Sequence, residues 1–594
     1  YGYNDFYFTE KDSSNPGKFG KTWWGDEFSD LPGRYMQRNY YYNFPGLDLS
    51  VPVTVRCRFG AISSSGNSFV QVTANGSSLF SNAIGPVGGT FSDPVTRWVD
   101  KTSTATLGGD ALTLNISFSK GSVNASGFLD FIEVNCRRQL KLNGYTNFTD
   151  LLSVGSGQVA TYHIQQANAQ SKVWDITDPL NPVQMNSSLS GSELTFSREA
   201  YTVHRFIAFD ESVVYQPVFS GHVANQDLHA LAAADNIIIC PDHLKPQAQV
   251  LAAHHLAKRN IKSLIVSPQE IYNEFSSGTQ DVSAIRNFLK MYYDRSSSSE
   301  MPRNVLMLGD ASYDYKNRLK NNTNWVPTYQ TYESNDKITG YCTDDFFGFL
   351  DDNEDINSFA SGQINTLDIG VGRIPVSTAE AARAVIDKIK YYDSEQSLGS
   401  WKNSMTFNAD DGNDAVHMED GEIMSQYAID SLPDYNPTKI YVDGFVEQST
   451  PAGPRTPDAN QAIRSQIFNG TFLMNYNGHG GPLGWCEERI FSMDDVNLMT
   501  NLKKLPLFIT ATCDFAPYDD PASVSAGEIL LNKSDGGAIA LMTTTRLVYQ
   551  DQNREMNLNY MASGFKPMAN GAFPSLGEAW RLSKNLRYVN YVGQ

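Results

Sequence analysis

Two short strings in the C-terminal third carry the residue types of nucleophilic catalysis. NYNGHGG (475–481) presents His479, and TATCDF (510–515) presents Cys513, 34 residues further on. Each follows or contains the end of an apolar run, FLMNY (472–476) and LPLFIT (505–510), of the kind that forms a buried parallel strand. In an open parallel sheet, ligands bind outside the carboxyl ends of the strands, so two such tips bring an imidazole and a thiol to one sheet edge. There the imidazole can withdraw and return a proton while the thiolate attacks a substrate carbonyl. Gly480 and Gly481 let a backbone N–H approach the substrate closely. The N–H groups of Gly480 and Cys513 would then form a two-donor oxyanion hole. A cysteine at a buried strand end is by itself inert packing. Paired with a histidine set among glycines, it reads as a catalytic dyad.

The segments that follow the nucleophile should line the substrate crevice. These are DFAPYDD (514–520) and, one strand over, TTTRLVYQDQ (543–552). They make Asp514, Arg546 and Tyr549 the candidate substrate-binding residues. A desolvated, unpaired carboxylate would select a basic side chain. Arg546 faces Asp514 in this reading and neutralises it, which predicts a shallow, weakly selective pocket; the alternative is that both face solvent.

The elements that must position these groups are legible as changes of texture. Residues 1–140 hold alternating segments such as VPVTVRCRFG (51–60), SFVQVTANG (68–76) and ALTLNISFS (111–119), which read as antiparallel strands of a jelly-roll-like β-sandwich. A small β-rich domain spans about 141–225. From 226 strand and helix alternate, as in doubly wound parallel sheets. Subdomain A (226–400) has strands at NIIICPDH, KSLIVSP, NVLMLGDASYDY and TLDIGVGRIPV. Subdomain B (401–594) has strands at 404–411, 439–444, 470–481, 505–515 and 537–545, with helices at about 418–431, 457–468, 494–502 and 523–533. At ~100–200 residues per domain, 594 residues accommodate three to five such units.

Composition removes whole classes. With 46 basic and 65 acidic residues the net charge is −19, the wrong sign for a protein that neutralises phosphates, so no nucleic acid is expected as partner. No apolar run approaches the ~18–20 residues needed to span a bilayer. The opening YGYNDFYFTEKD lacks the basic start and apolar stretch of a signal peptide, which places any export signal outside this sequence. Six cysteines are too few for a disulfide scaffold, and no CxxC zinc pair occurs.

With these residues in place, the sequence resembles the gingipain family of caspase-like cysteine peptidases. The resemblance rests on NYNGHGGPLGW, TATCDFAPYDD, AGEILL, GAIALMTTTR, GRIPVSTAEAARAVIDKIKYYD (372–393) and YCTDDFFGFLDD (341–352). LMLGDASYDYKN (306–317) and FNADDGND (407–414) are similar, more narrowly, to the family's sortases of the type IX secretion system. The family resemblance covers about 226–590 and implies Cys513 as nucleophile and His479 as base, with no cofactor required. It also implies a carboxylate or amide at the tip of the subdomain's first strand that orients the histidine, here Asp411 or Asp410; the alternative is a solvated or calcium-binding turn. His417 either faces the same cleft or lies on the surface, and Cys486 is a bystander thiol or a redox control. Implied partners are secreted clients bearing a C-terminal sorting domain, a lipopolysaccharide acceptor, and an outer-membrane barrel with other surface subunits of the secretion system. The implied location is the extracellular face of the outer membrane.

Family members bind calcium, and the oxygen-rich loop carrying Asp344, Asp345, Asp351, Asp352, Glu354 and Asp355 suits Ca2+ or plain solvent equally. Gly309-Asp310 reads as an ordinary strand-to-helix turn. Trp23, Trp24, Tyr40, Tyr41 and Tyr42 read as core packing, with sugar stacking as the alternative. Three functions stay open: a sortase that passes clients to lipopolysaccharide, a secreted endopeptidase of the same fold, and a catalytically silent surface-binding protein on this scaffold.

Overall fold

The computed structural model describes residues 1–297, 301–357 and 365–592. By its internal contacts the chain forms two units. One holds Tyr1–Pro16 and Thr22–Ala224; the other holds Gly17–Lys21 and everything from Asn225 on.

The first unit is all-β. One antiparallel sheet runs in the order Gly2–Glu10, Ser126–Gln139, Val53–Ile62, Arg97–Ala105; the other runs Gln37–Asn43, Ala111–Ser119, Ser68–Ala74, Ser77–Ile84. The strict alternation read in SFVQVTA puts Val70, Val72 and Ala74 inside while Phe69 and Gln71 face out. Phe28, Phe44, Phe59, Leu112 and Ile132 are among the residues filling the space between the sheets. Trp23 and Trp24 are buried, whereas Tyr41 is exposed. Two smaller sheets follow, built from Tyr145–Phe148, Phe206–Asp210, Ser171–Asp175 and Val183–Gln184 and from Val159–Ile164, Glu193–Glu199 and Ser187–Ser190. Their shared core is a cluster of Phe148, Tyr162, Phe196 and Phe206.

The second unit is α/β with two parallel sheets. In the first sheet, β1 (Asn236–Ile239), β2 (Ser263–Val266), β3 (Asn304–Leu308) and β4 (Gly370–Ile374) run in the order β2-β1-β3-β4. Its helices are α1 (Lys245–Arg259), α2 (Pro268–Phe275), α3 (Val282–Arg295) and α4 (Ala379–Tyr392). Their starts are fixed chemically. Ser267 and Glu270 form a reciprocal capping box on α2, the Asp281 side chain accepts from Ser283 N at α3, and Thr378 accepts from Ala381 N at α4.

The second sheet carries the candidate site. Strands β5 (Ser404–Ala409), β6 (Asn436–Tyr441), β7 (Leu473–Asn477), β8 (Leu507–Ala511) and β9 (Ala540–Met542) run in the order β6-β5-β7-β8-β9, all parallel. Helices α5 (Val416–Ser431), α6 (Pro457–Asn469), α7 (Met493–Leu498), α8 (Ala526–Asn532) and α9 (Gln550–Gly564) belong to this half, and α10 (Leu576–Val592) packs on α9 and against β4 of the first sheet. Met474, Tyr476 and Phe508 pack on the α6–α8 face, and Met405, Leu473, Leu507 and Ile509 pack toward α5 and α9. Among the described residues, no helix is long and apolar enough to cross a membrane.

Candidate active site

The strand register brings the segments that carry His479 and Cys513 to neighbouring strand ends. Asn477, the last residue of β7, pairs with Ala511, the last residue of β8, and Gly478 N donates to Ala511 O at 3.2 Å. His479 and Cys513 each stand two residues beyond that pair, on the loops that leave these two neighbouring strand ends. His479 is exposed and Cys513 half-buried. The two tips press together: a Cβ placed on Gly480 would lie 2.5 Å from Thr512 Oγ1, so only glycine fits at this level of approach.

The peptide groups of His479 are clamped from below. Its N–H donates to Asp410 Oδ2 at 2.6 Å, and its carbonyl accepts from the Tyr476 hydroxyl at 2.6 Å. Tyr476 is fully buried and stacks on Trp485 with ring centroids 4.2 Å apart. The carboxylate comes so near that a Cβ on Gly478 would meet Asp410 Cγ at 2.8 Å and Tyr476 Oη at 2.4 Å. Beyond the tip, Gly480–Gly481 returns as a hairpin against Gly484–Trp485, with Cys486 N donating to His479 O at 2.8 Å. That bond makes 479/486 the hydrogen-bonded position, so Gly480, opposite Trp485, turns its N–H away from the hairpin partner. This is the orientation an oxyanion donor needs.

A buried amide ladder ties the histidine strand to the helix that follows the substrate-side segment. Asn557 on α9 accepts from Asn475 Nδ2 at 2.7 Å and donates to Asn477 Oδ1 at 3.0 Å. All three are at most 2% exposed. A satisfied buried network of this kind fixes register and orientation. The sequence gives little sign of it, because FLMNYNG reads as an apolar strand.

Around the nucleophile, Cys513 Sγ lies 3.9 Å from Val548 O, which puts the neighbouring Tyr549 beside the cleft, 52% exposed. Burial raises the Cys513 thiol above its ordinary value, the Val548 contact partly offsets this, and the Asp514 charge adds to the rise. The resting sulfur is therefore a thiol, which requires a base at the moment of attack.

Arg546 does not neutralise the Asp514 carboxylate as the sequence suggests. Its guanidinium forms a fork on Asp519, at 2.8 and 2.6 Å, and Asp519 is also held by Gln330 Nε2 at 2.8 Å. The link from Arg546 to Asp514 is a backbone one, Asp514 N to Arg546 O at 3.1 Å. Asp514 has a left-handed backbone (φ 23°), and among the described residues its carboxylate makes no hydrogen bond or ion pair. Burial pushes its pKa up, with the nearby Arg546 charge only partly compensating. The same loop is stapled by Gly17–Lys21: Lys18 Nζ pairs with Asp520 at 2.8 Å, and Arg546 Nη2 donates to Lys18 O at 3.2 Å.

The two carboxylates of the first strand tip divide differently from expectation. Asp411 is exposed and makes no hydrogen bond to the His479 ring; burial and the neighbouring Glu488, Asp410 and Asp443 charges push its pKa up. Asp410, 2% exposed, is the one that touches His479, through the backbone. His417 is buried and bonds Asp410 rather than lying on the surface. Burial drives the Cys486 thiol far up, which makes it inert.

The acidic loop of the first half does not gather as one cage. Asp344 forks with Arg373 at 2.7 and 2.8 Å, Asp345 pairs with Lys584, and Asp352 pairs with Lys290. Asp351 and Glu354 instead join Asp368, which the sequence reading missed, with ligand oxygens within 4.8 Å of one another. Burial, with the neighbouring carboxylates adding to it, raises Glu354 to about 7 and pushes Asp368 up as well. Three carboxylates so disposed fit a hard cation. Asp310 accepts from Thr323 Oγ1 at 2.6 Å and Ser377 Oγ at 3.1 Å, a structural turn.

The profile of peptidase family C25 matches residues 229–592. A crystal structure of dimeric latent PorU from Porphyromonas gingivalis is similar at 25% identity and a TM-score of 0.58, over 67% of this chain. The match takes in 39% of that protein, so the present chain spans well under half its length. The complex of the Porphyromonas gingivalis RgpB pro- and mature domains is similar at 16% identity and a TM-score of 0.45, over 60% of this chain and 75% of that one. No curated protein matches the sequence.

Proposed function

The chain belongs to peptidase family C25, the gingipain family of cysteine peptidases, and from that premise we propose that it works at the cell surface as a sortase. It cleaves the C-terminal sorting domain from secreted clients and transfers them to an amine of lipopolysaccharide. The observation that supports the chemistry is that β7 and β8 are adjacent parallel strands, with His479 and Cys513 each two residues past their last paired position.

The steps follow from the groups present. His479 takes the thiol proton as Cys513 Sγ attacks the client carbonyl carbon, and the N–H groups of Gly480 and Cys513 receive the oxyanion. Collapse breaks the C–N bond, and the His479 imidazolium returns its proton to the leaving amine of the sorting domain. The client remains as a thioester on Cys513. An amine acceptor then attacks that carbonyl, His479 takes its proton, and the thiol is regenerated; water in place of the amine gives hydrolysis. On this reading the partners are sorting-domain clients, lipopolysaccharide and outer-membrane secretion subunits including a barrel, and nucleic acid is not among them. Asp351, Glu354 and Asp368 would hold Ca2+ as a structural ion, with no part in the bond-breaking steps.

One observation favours a second reading. The unpartnered, half-buried Asp514 beside the nucleophile would select a basic side chain, as a general endopeptidase for basic residues requires. Incubation with a purified sorting-domain client, with and without an amine acceptor, separates the two by mass spectrometry. An amine-linked client supports the sortase. Hydrolysed client alone, with cuts confined to sites after Arg or Lys, replaces it with the endopeptidase.

A further inference from the structure

The loop between β5 and α5 is strained in a way that its own stability does not explain. Asn413, Asp414 and Ala415 take three successive left-handed conformations, with φ of 56°, 53° and 71°. For alanine this conformation is costly, because its Cβ crowds the following carbonyl oxygen. Ala415 is then the N-cap of helix α5 and gives it no side-chain cap, where Ser, Asp or Asn would supply one. Strain of this sort persists where the surroundings enforce it, and it clusters where geometry serves function.

What the loop achieves is the return of His417 to Asp410. His417 is 4% exposed and Asp410 2%, and the imidazole Nδ1 hydrogen-bonds Asp410 Oδ1. The Nε2 atom lies 3.4 Å from Asn413 Nδ2, so Nδ1 donates and Nε2 accepts. The other carboxylate oxygen takes His479 N–H at 2.6 Å; the Tyr476 hydroxyl, which donates to His479 O, lies 3.3 Å from it. Gly412 N adds a long contact to Oδ1 at 3.4 Å. Both oxygens of Asp410 are therefore occupied by groups that fix where His479 stands.

The same loop also walls the imidazole itself. The His417 and His479 rings meet edge to face, with centroids 4.8 Å apart and planes at 84°. On the other side, a Cβ added to Gly412 would approach His479 Cδ2 at 3.0 Å. Among the described residues the His479 ring makes no hydrogen bond, so its plane is set by packing such as these walls and by its clamped backbone.

We propose that His417 is a positioning residue for His479: through Asp410 and its own ring it holds the base in the plane that faces Cys513. This rests on the dyad reading above. His417 does not itself exchange a proton with substrate. Its loss should lower the rate of the bond-forming step and leave binding alone.

The test uses the full chain and a peptidyl acyloxymethyl ketone, with the maximal rate of Cys513 alkylation and the half-saturating concentration measured separately. His417→Leu should lower the maximal rate roughly 10–100-fold, the scale of an ångström-level misplacement, with half-saturation unchanged within about twofold. His417→Asn puts an amide N–H where Nδ1 stood and should recover the rate to within about fivefold. A mere packing defect would not be rescued by the smaller, polar asparagine. Should His417→Leu not fold, Asp410→Asn carries the test and should show the same split. A wild-type rate in His417→Leu (or in Asp410→Asn), an equal loss in His417→Asn, or a change confined to half-saturation would each overturn the assignment. His479→Ala is the reference arm. If it alkylates at the wild-type rate, the dyad reading itself fails; if it is slow while His417→Leu is not, only the positioning role fails.

Discussion

Substituting Gly480 by alanine is the sharpest probe of how the two strand tips meet. Its Cβ would lie 2.5 Å from Thr512 Oγ1 and 3.2 Å from Thr512 Cγ2, with Gly484 O at 3.1 Å. Ordinary contact begins near 3.4 Å, so the tips must separate by about 0.9 Å. Misplacement of about 1 Å between reacting groups costs on the order of 10²-fold in rate, or about 2.7 kcal/mol of barrier. Gly480 has no left-handed backbone and is only half-buried, so the fold should tolerate the change. The severest obstacle is the Thr512 side chain, with the Gly484 carbonyl a milder one, and the Thr512 hydroxyl has no hydrogen-bond partner of its own. Thr512→Ala alone should therefore be nearly neutral, and Gly480→Ala/Thr512→Ala should regain most of the lost rate. The assay is steady-state cleavage of a fluorogenic client peptide across the four proteins, with melting temperatures measured in parallel. A Gly480→Ala enzyme within threefold of wild type would refute the contact, and so would a double variant no faster than the single.

Three charged groups carry further expectations. Because the Asp514 charge favours the neutral thiol of Cys513, Asp514→Asn should lower the thiol pKa and shift the alkylation–pH curve to lower pH; an unshifted curve refutes the coupling. Arg546→Met would leave Asp519, 1% exposed, without its guanidinium and should cost about 3–5 kcal/mol in urea unfolding, as broken buried pairs do. A loss under about 1 kcal/mol would mean that Gln330 and water suffice. Glu354, raised to about 7 in the folded state against an ordinary 4.5, holds a proton that the unfolded chain releases, so its contribution to stability falls as pH rises across that interval. Millimolar Ca2+ should reverse this fall and raise the melting temperature more at pH 8 than at pH 5.5, and Asp368→Asn should abolish the gain; an equal rise in Asp368→Asn would remove the cation from this cluster.

The parallel architecture and the reactive tips were legible because they rest on local signals. Apolar runs ending in NYNGHGG and TATCDF show both the strand and the place where it stops, and adjacency in the sheet supplies the rest. What escaped depends on which partner a side chain chooses. Asp410 and Asp411 are chemically identical neighbours, and only the pleat decides that the first turns inward to the His479 backbone. Arg546 had two carboxylates within reach along the chain, and the buried Asp519 took it, leaving Asp514 unpartnered. Helix α9 was invisible because its sequence, QDQNREMNLNYMASG, buries chiefly Asn557, Tyr560 and Met561, a polar face docked on a polar ladder rather than an apolar stripe. Asp368 lies on a different segment from the loop it completes, so no spacing rule could join it to Asp351 and Glu354.

The central claim is that Cys513 carries the client as a thioester formed with the help of His479. The most direct measurement is peptide-mapped mass spectrometry of the full chain quenched in acid during turnover of a sorting-domain client. The account predicts the client acyl mass on the peptide containing Cys513, its disappearance in Cys513→Ala, and its strong reduction in His479→Ala. An acyl adduct on any other residue, or turnover at the wild-type rate in Cys513→Ala, would contradict it.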